Sequence, residues 1–273
     1  MMTLTDKFDG LKQRLSRFTS VAVAFSGGVD STLLLKVACD ILGVEQVLAL
    51  TAKSAVHSNF ESSQSEDLAR EIGVKQLLID CHELRLPAFQ ENGPQRCYHC
   101  KRLLFKGFLE RAEQEGFATV LDGSNLDDLA DYRPGQKALK DLQICSPLLE
   151  AALSKAEIRQ LSKQLGLPTW DKQAFACLAS RFPYGTRITA KRLQQVERCE
   201  NWLRERGFSN YRVRYHGQLA RIELVPEEFP RVLGQDLRRQ LIAECQAAGF
   251  TYVTLDLQGY RSGSMNELLD LTE

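Results

Sequence analysis

Three sets of residues in this chain have types and spacing that could do chemistry. The first is Ser26-Gly27-Gly28-Val29-Asp30-Ser31-Thr32, which follows the apolar run Val21 to Phe25. Two glycines let a backbone turn sharply and come close to a ligand. A helix starting there presents free N–H groups and the positive end of its dipole. Ser26, Ser31 and Thr32 add hydroxyl donors, and Asp30 can hold the Mg²⁺ that phosphates bring. Together these make an anion cradle. It is not a Walker A loop, which needs a Lys that this string lacks, nor a GxGxxG fingerprint. The plain alternative is a glycine turn with a capping serine. The full S-G-G-x-D-S-T string behind an apolar strand favours the cradle.

The second set is cysteine. Cys97-Tyr98-His99-Cys100 is a C-x2-C. By itself it is half a zinc site, a redox pair, or a chance pair ahead of a helix. The sequence has no second C-x2-C to complete an all-cysteine zinc site, and only 4 histidines. Cys177 lies in the irregular stretch Lys172 to Gly185, with Arg181 close by, a setting that lowers a thiol pKa and exposes it. Cys39, Cys199 and Cys245 fall in helical patterns and read as buried small hydrophobes. Cys81 and Cys145 are ambiguous. The third set is Arg212 and Arg214, which alternate on one strand and so face the same side. Guanidinium forks bind phosphate bidentately. The bland reading is a solvated sheet face.

The elements that must position these residues alternate strand and helix. Lys7 to Arg17 reads as a helix, Val21 to Phe25 as a strand, Ser31 to Leu42 as a helix and Gln46 to Thr51 as a strand. Asn59 to Ile72 (helix), Lys75 to Asp80 (strand), Cys100 to Glu115 (helix) and Ala118 to Asp122 (strand) continue the rhythm. It predicts an α/β domain with a parallel sheet covered on both faces, binding ligands at the C-terminal strand ends. Asp122 to Leu148 is turn-rich. Leu153 to Gly166 is a helix with the capping box Ser154/Glu157. Asp171 to Thr186 reads as a loop. A second pattern follows: helix Ala190 to Arg206, strands Tyr211 to His216 and Leu219 to Leu224 about a tight turn, helix Gly234 to Ala248, and strand Thr251 to Leu257. This predicts residues 1–180 as one domain and 181–273 as a smaller α+β domain.

The chain has 273 residues, a soft prior for two domains at roughly 150 residues each. Its 35 basic and 35 acidic residues cancel, which argues against wrapping a nucleic-acid backbone. With 44% hydrophobic and 26% charged residues it is not a disordered chain. No apolar run approaches the ~18–20 residues of a membrane span. Met1 to Lys7 has no apolar leader core, so a cytoplasmic protein is expected, and 8 cysteines then suggest metal or catalysis over disulfides.

The string Ser26 to Thr32 resembles the PP-loop of the N-type ATP pyrophosphatases, a family that includes GMP synthetase, NAD synthetase, asparagine synthetase and tRNA-thiolating enzymes. Ser146-Pro147-Leu148-Leu149-Glu150, Lys155-Ala156-Glu157-Ile158-Arg159 and Leu165-Gly166-Leu167-Pro168 are similar to a stretch of several members. Four more segments narrow the match: Leu121 to Asp128 with Asp131 to Gly135, Cys177 to Gly185, Arg212-Val213-Arg214, and Tyr252 to Leu257 with Gly259 to Gly263. Over essentially the whole chain they resemble the LarE family of sulfur transferases, which build the nickel-pincer cofactor of lactate racemase.

That resemblance implies a PP-loop ATP pyrophosphatase domain (adenine nucleotide alpha hydrolase-like). It also implies ATP and Mg²⁺ as cofactors, with Ser26, Gly27, Gly28, Asp30, Ser31 and Thr32 binding ATP and Asp30 holding Mg²⁺. A carboxylate of pyridinium-3,5-biscarboxylic acid mononucleotide is adenylated, pyrophosphate leaves, and sulfur attacks the acyl carbon. Ser180, Arg212 and Arg214 take the substrate phosphate, with Arg181 a further candidate. Asp128 is a candidate for Mg²⁺ or for orienting ATP. Glu200 and Glu223 match acidic positions of unassigned role. Cys177 matches the sulfur-bearing cysteine, which in one branch is sacrificed to dehydroalanine. In that branch the positions of Cys97 and Cys100 are not cysteine. Three cysteines here, Cys97, Cys100 and Cys177, suit a [4Fe-4S] cluster with one free iron, fed by sulfide or another sulfur donor. A homo-oligomer is implied, with the C-terminal domain serving substrate binding and oligomerisation. The competing readings are sacrificial Cys177, a tRNA thiolase, an ammonia-using synthetase that gives the cysteines no task, and a non-enzymatic nucleotide-binding module.

Overall fold

The computed structural model describes residues 2–56, 59–129, 134–172 and 177–261. The expectations that fall on Asp131 to Arg133, Gln173 to Ala176 and Ser262-Gly263 lie outside them. The chain divides into two compact units. The first is Met1–Glu83 with Gln95–Phe175, and the second is Leu84–Pro94 with Ala176–Glu273.

The first unit begins with α1 (Leu4–Leu15), β1 (Val21–Ala24), α2 (Val29–Leu42), β2 (Val47–Lys53), α3 (Asn59–Ile72) and β3 (Lys75–Asp80). Helix α4 (Pro87–Gln90) belongs to the second unit. The first unit resumes with α5 (Arg96–Gln114), β4 (Val120–Leu121), α6 (Pro134–Asp141), α7 (Pro147–Glu150) and α8 (Lys155–Gln164). Its sheet has the order β3-β2-β1-β4, all pairs parallel. Val21 lies opposite Val47, and Ala22 opposite Val120. Both faces of β1 are covered, as its unbroken apolar run requires. Val21 and Val23 pack into a core with Leu11 and Leu15 of α1, Leu33 and Leu34 of α2, and Ile158 of α8. Ala22 packs into a second core with Leu48, Phe105 and Phe108, where α5 covers the sheet. The strand order reverses beside β1, so the ends of β1 and β4 form the switch point where such sheets bind ligands.

The second unit holds α9 (Ala190–Glu205), β5 (Tyr211–His216), β6 (Leu219–Leu224), α10 (Phe229–Leu233), α11 (Gln235–Ala248) and β7 (Tyr252–Leu255). Its sheet runs β5-β6-β7, with β5 and β6 antiparallel and β6 and β7 parallel. Among the described residues no helix is long and apolar enough to cross a membrane.

Several elements differ from the sequence reading. Helix α2 begins at Val29, so Asp30, Ser31 and Thr32 form its first turn. Helix α5 begins at Arg96, so the C-x2-C lies within the helix and not ahead of it. The turn-rich stretch after Asp122 contains α6, whose buried apolar residues are only Ala138 and Leu139. That helix packs tightly on α5 because residue 135 is glycine. A Cβ there would stand 2.9 Å from Lys101 Cδ.

Gly27 sits at φ +68, and a Cβ on it would come within 3.2 Å of Ser65 Cβ. Gly27→Ala is expected to cost about 1–2 kcal/mol for the left-handed backbone alone, read as a lowered midpoint of thermal unfolding. An unchanged midpoint would contradict this reading of the β1–α2 corner.

Candidate functional site

In the first unit the cradle forms where β1 hands over to α2. Gly28 caps α2 without a side-chain hydrogen bond, leaving the helix's opening N–H groups facing the loop. Ser31 Oγ donates to the Gly28 carbonyl at 3.2 Å and lies 3.1 Å from Ser26 Oγ. The Ser26 amide donates to Ser31 Oγ at 3.2 Å, and the Gly28 amide to Ser26 Oγ at 3.3 Å. The two serines thus shape the loop around itself. Thr32 is fully buried, and its hydroxyl has no partner among the described residues. From the end of β4, Gly123 backs onto the same corner. A Cβ there would sit 3.2 Å from the Ser31 amide nitrogen, crowding an N–H that an anion would use.

Asp30 accepts a hydrogen bond from Asn125 Nδ2 at 3.1 Å and pairs with the Lys155 ammonium. Both side chains are partly exposed. Lys172 Nζ donates to the Gly27 carbonyl at 2.8 Å. Two lysines therefore reach a loop that has none of its own. Lys155 opens α8 immediately after the Ser154 cap, where a cation opposes the helix dipole. Nothing local in the sequence points either lysine at the loop. Asp128 accepts from the Asn125 amide at 3.0 Å, shaping the turn after β4. Asp122, buried at the end of β4, accepts from Ser124 Oγ at 2.5 Å and from Ser146 Oγ.

Cys97 and Cys100 stand at i and i+3 near the start of α5, so they share one face. Cys97 is exposed and Cys100 half-buried, and Arg96 Nη2 donates to Cys97 Sγ at 3.6 Å. The other thiols of this unit are held neutral. Burial, then the Glu83 charge, pushes Cys81 up to about 12. Burial pushes Cys39 up to about 11 and also raises Cys145. Cys199 and Cys245, in the second unit, are buried as their helical spacing suggested. Among the described residues, no three or more His, Cys, Asp or Glu side chains gather into a group that could hold a metal ion.

In the second unit Cys177, half-buried, opens the 3-10 turn Leu178–Arg181. Its carbonyl accepts from the Ser180 amide at 2.9 Å and from Arg181 Nη1 at 3.2 Å. Arg181 is only 2% exposed. Its Nε and Nη2 donate to the two oxygens of Glu200 at 2.9 and 2.8 Å, while Nη1 also reaches Ser180 Oγ at 3.0 Å. Glu200 Oε1 accepts in addition from the Val213 amide at 2.9 Å. One carboxylate on α9 thus ties the Cys177 turn to β5 at the residue between Arg212 and Arg214.

Those two arginines are buried, not spread on a solvated sheet face. Arg214 donates to the Ser180 carbonyl at 3.1 Å and to Glu223 Oε2 at 2.8 Å. Glu223, fully buried on β6, also takes Arg221 at 3.0 Å. Arg212 donates to the Tyr211 carbonyl at 2.7 Å and stacks 5.1 Å over the Tyr260 ring. Burial, then the like charge of Arg181, pulls its pKa below the ordinary range, against the pull of Glu200 and Tyr260. Three buried arginines, Arg181, Arg212 and Arg214, meet two buried glutamates, Glu200 and Glu223. Together they form a buried network of charge-assisted hydrogen bonds. Glu200, Glu223 and Tyr260 are the organising partners whose roles sequence reasoning left open or missed.

Burial alone would raise the Glu200 pKa, but the Arg181 charge and hydrogen bonds, the Val213 N–H and the Arg212 charge hold it below the usual range. The folded protein therefore binds fewer protons here than the unfolded chain, whose glutamate titrates near ~4.3. This stabilisation is full above that pH and is lost as pH falls through the lowered folded value. Glu200→Gln should flatten the acid limb of stability in urea unfolding. Glu200→Ala, which strands Arg181, should cost about 3–5 kcal/mol. A Glu200→Gln protein with the wild-type acid slope would contradict the assignment.

Comparison with known proteins adds the following. A family model described as NAD synthase matches residues 4–103. An uncharacterized protein of Synechocystis is 44% identical over 97% of this chain and 99% of its own length. The pyridinium-3,5-bisthiocarboxylic acid mononucleotide synthase of Lactiplantibacillus plantarum is 40% identical over 98% of this chain and 97% of its own. A tRNA-specific 2-thiouridylase of Desulforamulus reducens is 26% identical over 56% of this chain and 52% of its own.

Proposed function

The chain belongs to the family of pyridinium-3,5-bisthiocarboxylic acid mononucleotide synthases, the LarE family of PP-loop enzymes, and from that premise we propose that it is an ATP-dependent sulfur transferase acting on the carboxylates of a pyridinium mononucleotide. The observation that carries this reading is a match running through both units at 40% identity. The geometry supports a division of labour. In the first unit Ser26, Gly27, Gly28, Asp30 and Ser31 take the ATP phosphates. Thr32 contributes its place in the first turn of α2, its hydroxyl being buried. Asp30 supplies the single carboxylate that Mg²⁺ at a nucleotide site commonly needs, the phosphates and waters completing the shell. In the second unit the guanidinium groups of Arg212 and Arg214, with Ser180, take the substrate phosphate, Arg214 lying against the Ser180 carbonyl. Arg181, clamped by Glu200, positions Ser180 and the Cys177 backbone.

A substrate carboxylate oxygen attacks the α-phosphorus, and the bond to the bridging oxygen breaks, releasing pyrophosphate into the cradle. The acyl-adenylate is then open to a sulfur nucleophile, with AMP as the leaving group. Cys177 is the residue at the sulfur-transfer position. The thiols of Cys97, Cys100 and Cys177 are the chemistry an iron–sulfur cluster requires, and the first two share a helical face. A [4Fe-4S] cluster on these three cysteines would supply sulfide at its unligated iron. The alternative is sacrificial Cys177, whose Cβ–Sγ bond breaks after thioester formation to leave dehydroalanine. The product serves the nickel-pincer cofactor of lactate racemase, in the cytoplasm and from a homo-oligomer.

A tRNA thiolase is the second reading. It rests on a relative that this chain matches over about half its length, and the cancelling charge disfavours it.

Pyrophosphate release should require the pyridinium dicarboxylate mononucleotide, and Cys177→Ser should retain that release while yielding no thiocarboxylate. ATP turnover driven by unmodified tRNA instead would overturn the reading. Protein purified without oxygen should carry iron and acid-labile sulfide, and Cys97→Ser and Cys100→Ser should each lose both along with multiple turnover. Iron-free protein with a dehydroalanine at 177 after one round would establish the sacrificial route.

A further inference from the structure

Arg212 is buried on β5, with its guanidinium against an aromatic ring delivered from beyond β7. We propose that Tyr260 is a positioning residue that aims Arg212, its ring holding the guanidinium plane so that an N–H edge is presented to the substrate phosphate. This deepens the reading above and rests on it for the identity of the ligand.

The backbone that carries Tyr260 is built with care. After β7 the chain keeps to the edge of β6. The Asp256 amide donates to the Ile222 carbonyl and the Tyr260 amide to the Leu224 carbonyl, both at 2.8 Å. The two donors are four residues apart and their acceptors only two, so the excess chain must fold into a turn. The Gly259 amide closes it on the Asp256 carbonyl at 3.0 Å, and the Gln258 amide on the Asp256 carboxylate at 2.9 Å. Gly259 sits at φ +74, and a Cβ there would stand 2.9 Å from the Leu224 carbonyl oxygen. That corner takes glycine alone. Leu257, at the tip, is 83% exposed, so the turn is not anchored by its apolar side chain. Tyr260 is half-buried, and it is the side chain that the turn sends back onto the sheet.

The geometry at Arg212 gives the ring its task. Nη1 donates to the Tyr211 carbonyl at 2.7 Å, which pins one corner of the guanidinium. Cζ lies 5.1 Å over the centre of the Tyr260 ring, and Nη2 is 3.5 Å from the Tyr260 hydroxyl. The ring therefore sets the tilt that a single hydrogen bond leaves open. Glu200 and Glu223 hold Arg181 and Arg214 differently, by accepting from their N–H edges. A ring face holds a guanidinium from the side and keeps its edge donors in plane, where a phosphate meets them. An arginine fixed in this way loses less side-chain freedom when the anion arrives.

Steady-state pyrophosphate release by the whole protein, driven by the pyridinium dicarboxylate mononucleotide, tests this as a double-variant cycle. Tyr260→Leu should raise KM for the mononucleotide about tenfold and leave kcat and KM for Mg-ATP within about twofold. Tyr260→Phe, which keeps the ring, should stay within about threefold of the wild type. Arg212→Ala should raise KM further than Tyr260→Leu does, and adding Tyr260→Leu to it should then change nothing, because the ring has no guanidinium left to aim. Thermal unfolding checks each variant, and Tyr260→Met carries the comparison if the leucine variant is unstable. An unchanged KM in Tyr260→Leu beside a raised one in Arg212→Ala, a fall in kcat with KM unmoved, or an equal effect of Tyr260→Leu with and without Arg212 would each overturn the proposal. An unchanged KM in Arg212→Ala would overturn the phosphate assignment beneath it. If the mononucleotide drives no pyrophosphate release at all, the reaction assigned above fails, and the same cycle read by titration calorimetry with inorganic phosphate decides the role of Tyr260.

Discussion

The second unit depends on one carboxylate. Glu200 accepts both forks of Arg181 and the amide of Val213, so it fastens the turn that carries Cys177 and Ser180 to the strand that carries Arg212 and Arg214. A buried guanidinium is tolerated only where such partners meet it, because its desolvation is otherwise several kcal/mol. Glu223 repeats the device one strand away, joining Arg214 and Arg221. These residues do little for net stability that well-packed apolar side chains could not do. What they achieve is a rigid set of guanidinium donors around the turn that the half-buried Cys177 opens. That combination is costly to build for packing alone, and under the proposed function it sets the substrate phosphate beside the sulfur-bearing residue.

Under the proposed function the first unit faces a different problem, how to hold phosphate with no lysine in the loop. Its answer is a corner where β1, α2 and the end of β4 meet with very little room. Gly27 takes a left-handed backbone against Ser65, and Gly123 lets β4's exit pass the Ser31 amide. The cations arrive from residues 155 and 172, more than 120 positions along the chain. The switch point of the sheet is what brings such distant segments to one spot.

The elements were legible where periodicity was strong. Asn59–Ile72, Lys75–Asp80, Tyr211–His216 and Leu219–Leu224 stand where alternation and capping put them, and the Ser154/Glu157 box is present as read. Short or weakly patterned pieces were not legible. Helix α6 opens on Pro134-Gly135 and buries two apolar side chains, too few to establish a period. The cradle could be read because its glycines and hydroxyls are contiguous. Lys155 and Glu200 could not, since their partners lie 125 and 19 residues away. The packing of Leu84–Pro94 with the C-terminal half has no local signature either, because it is a matter of which core the segment joins.

The central claim, ATP-driven replacement of carboxylate oxygen by sulfur on a pyridinium mononucleotide, is tested most directly by the mass of the small molecule after incubation with the protein, a sulfide source and ATP without oxygen. The account predicts the mass gain of one and then two oxygen-to-sulfur exchanges, each matched by one AMP and one pyrophosphate, and none without ATP. An unchanged nucleotide alongside steady ATP cleavage would contradict it.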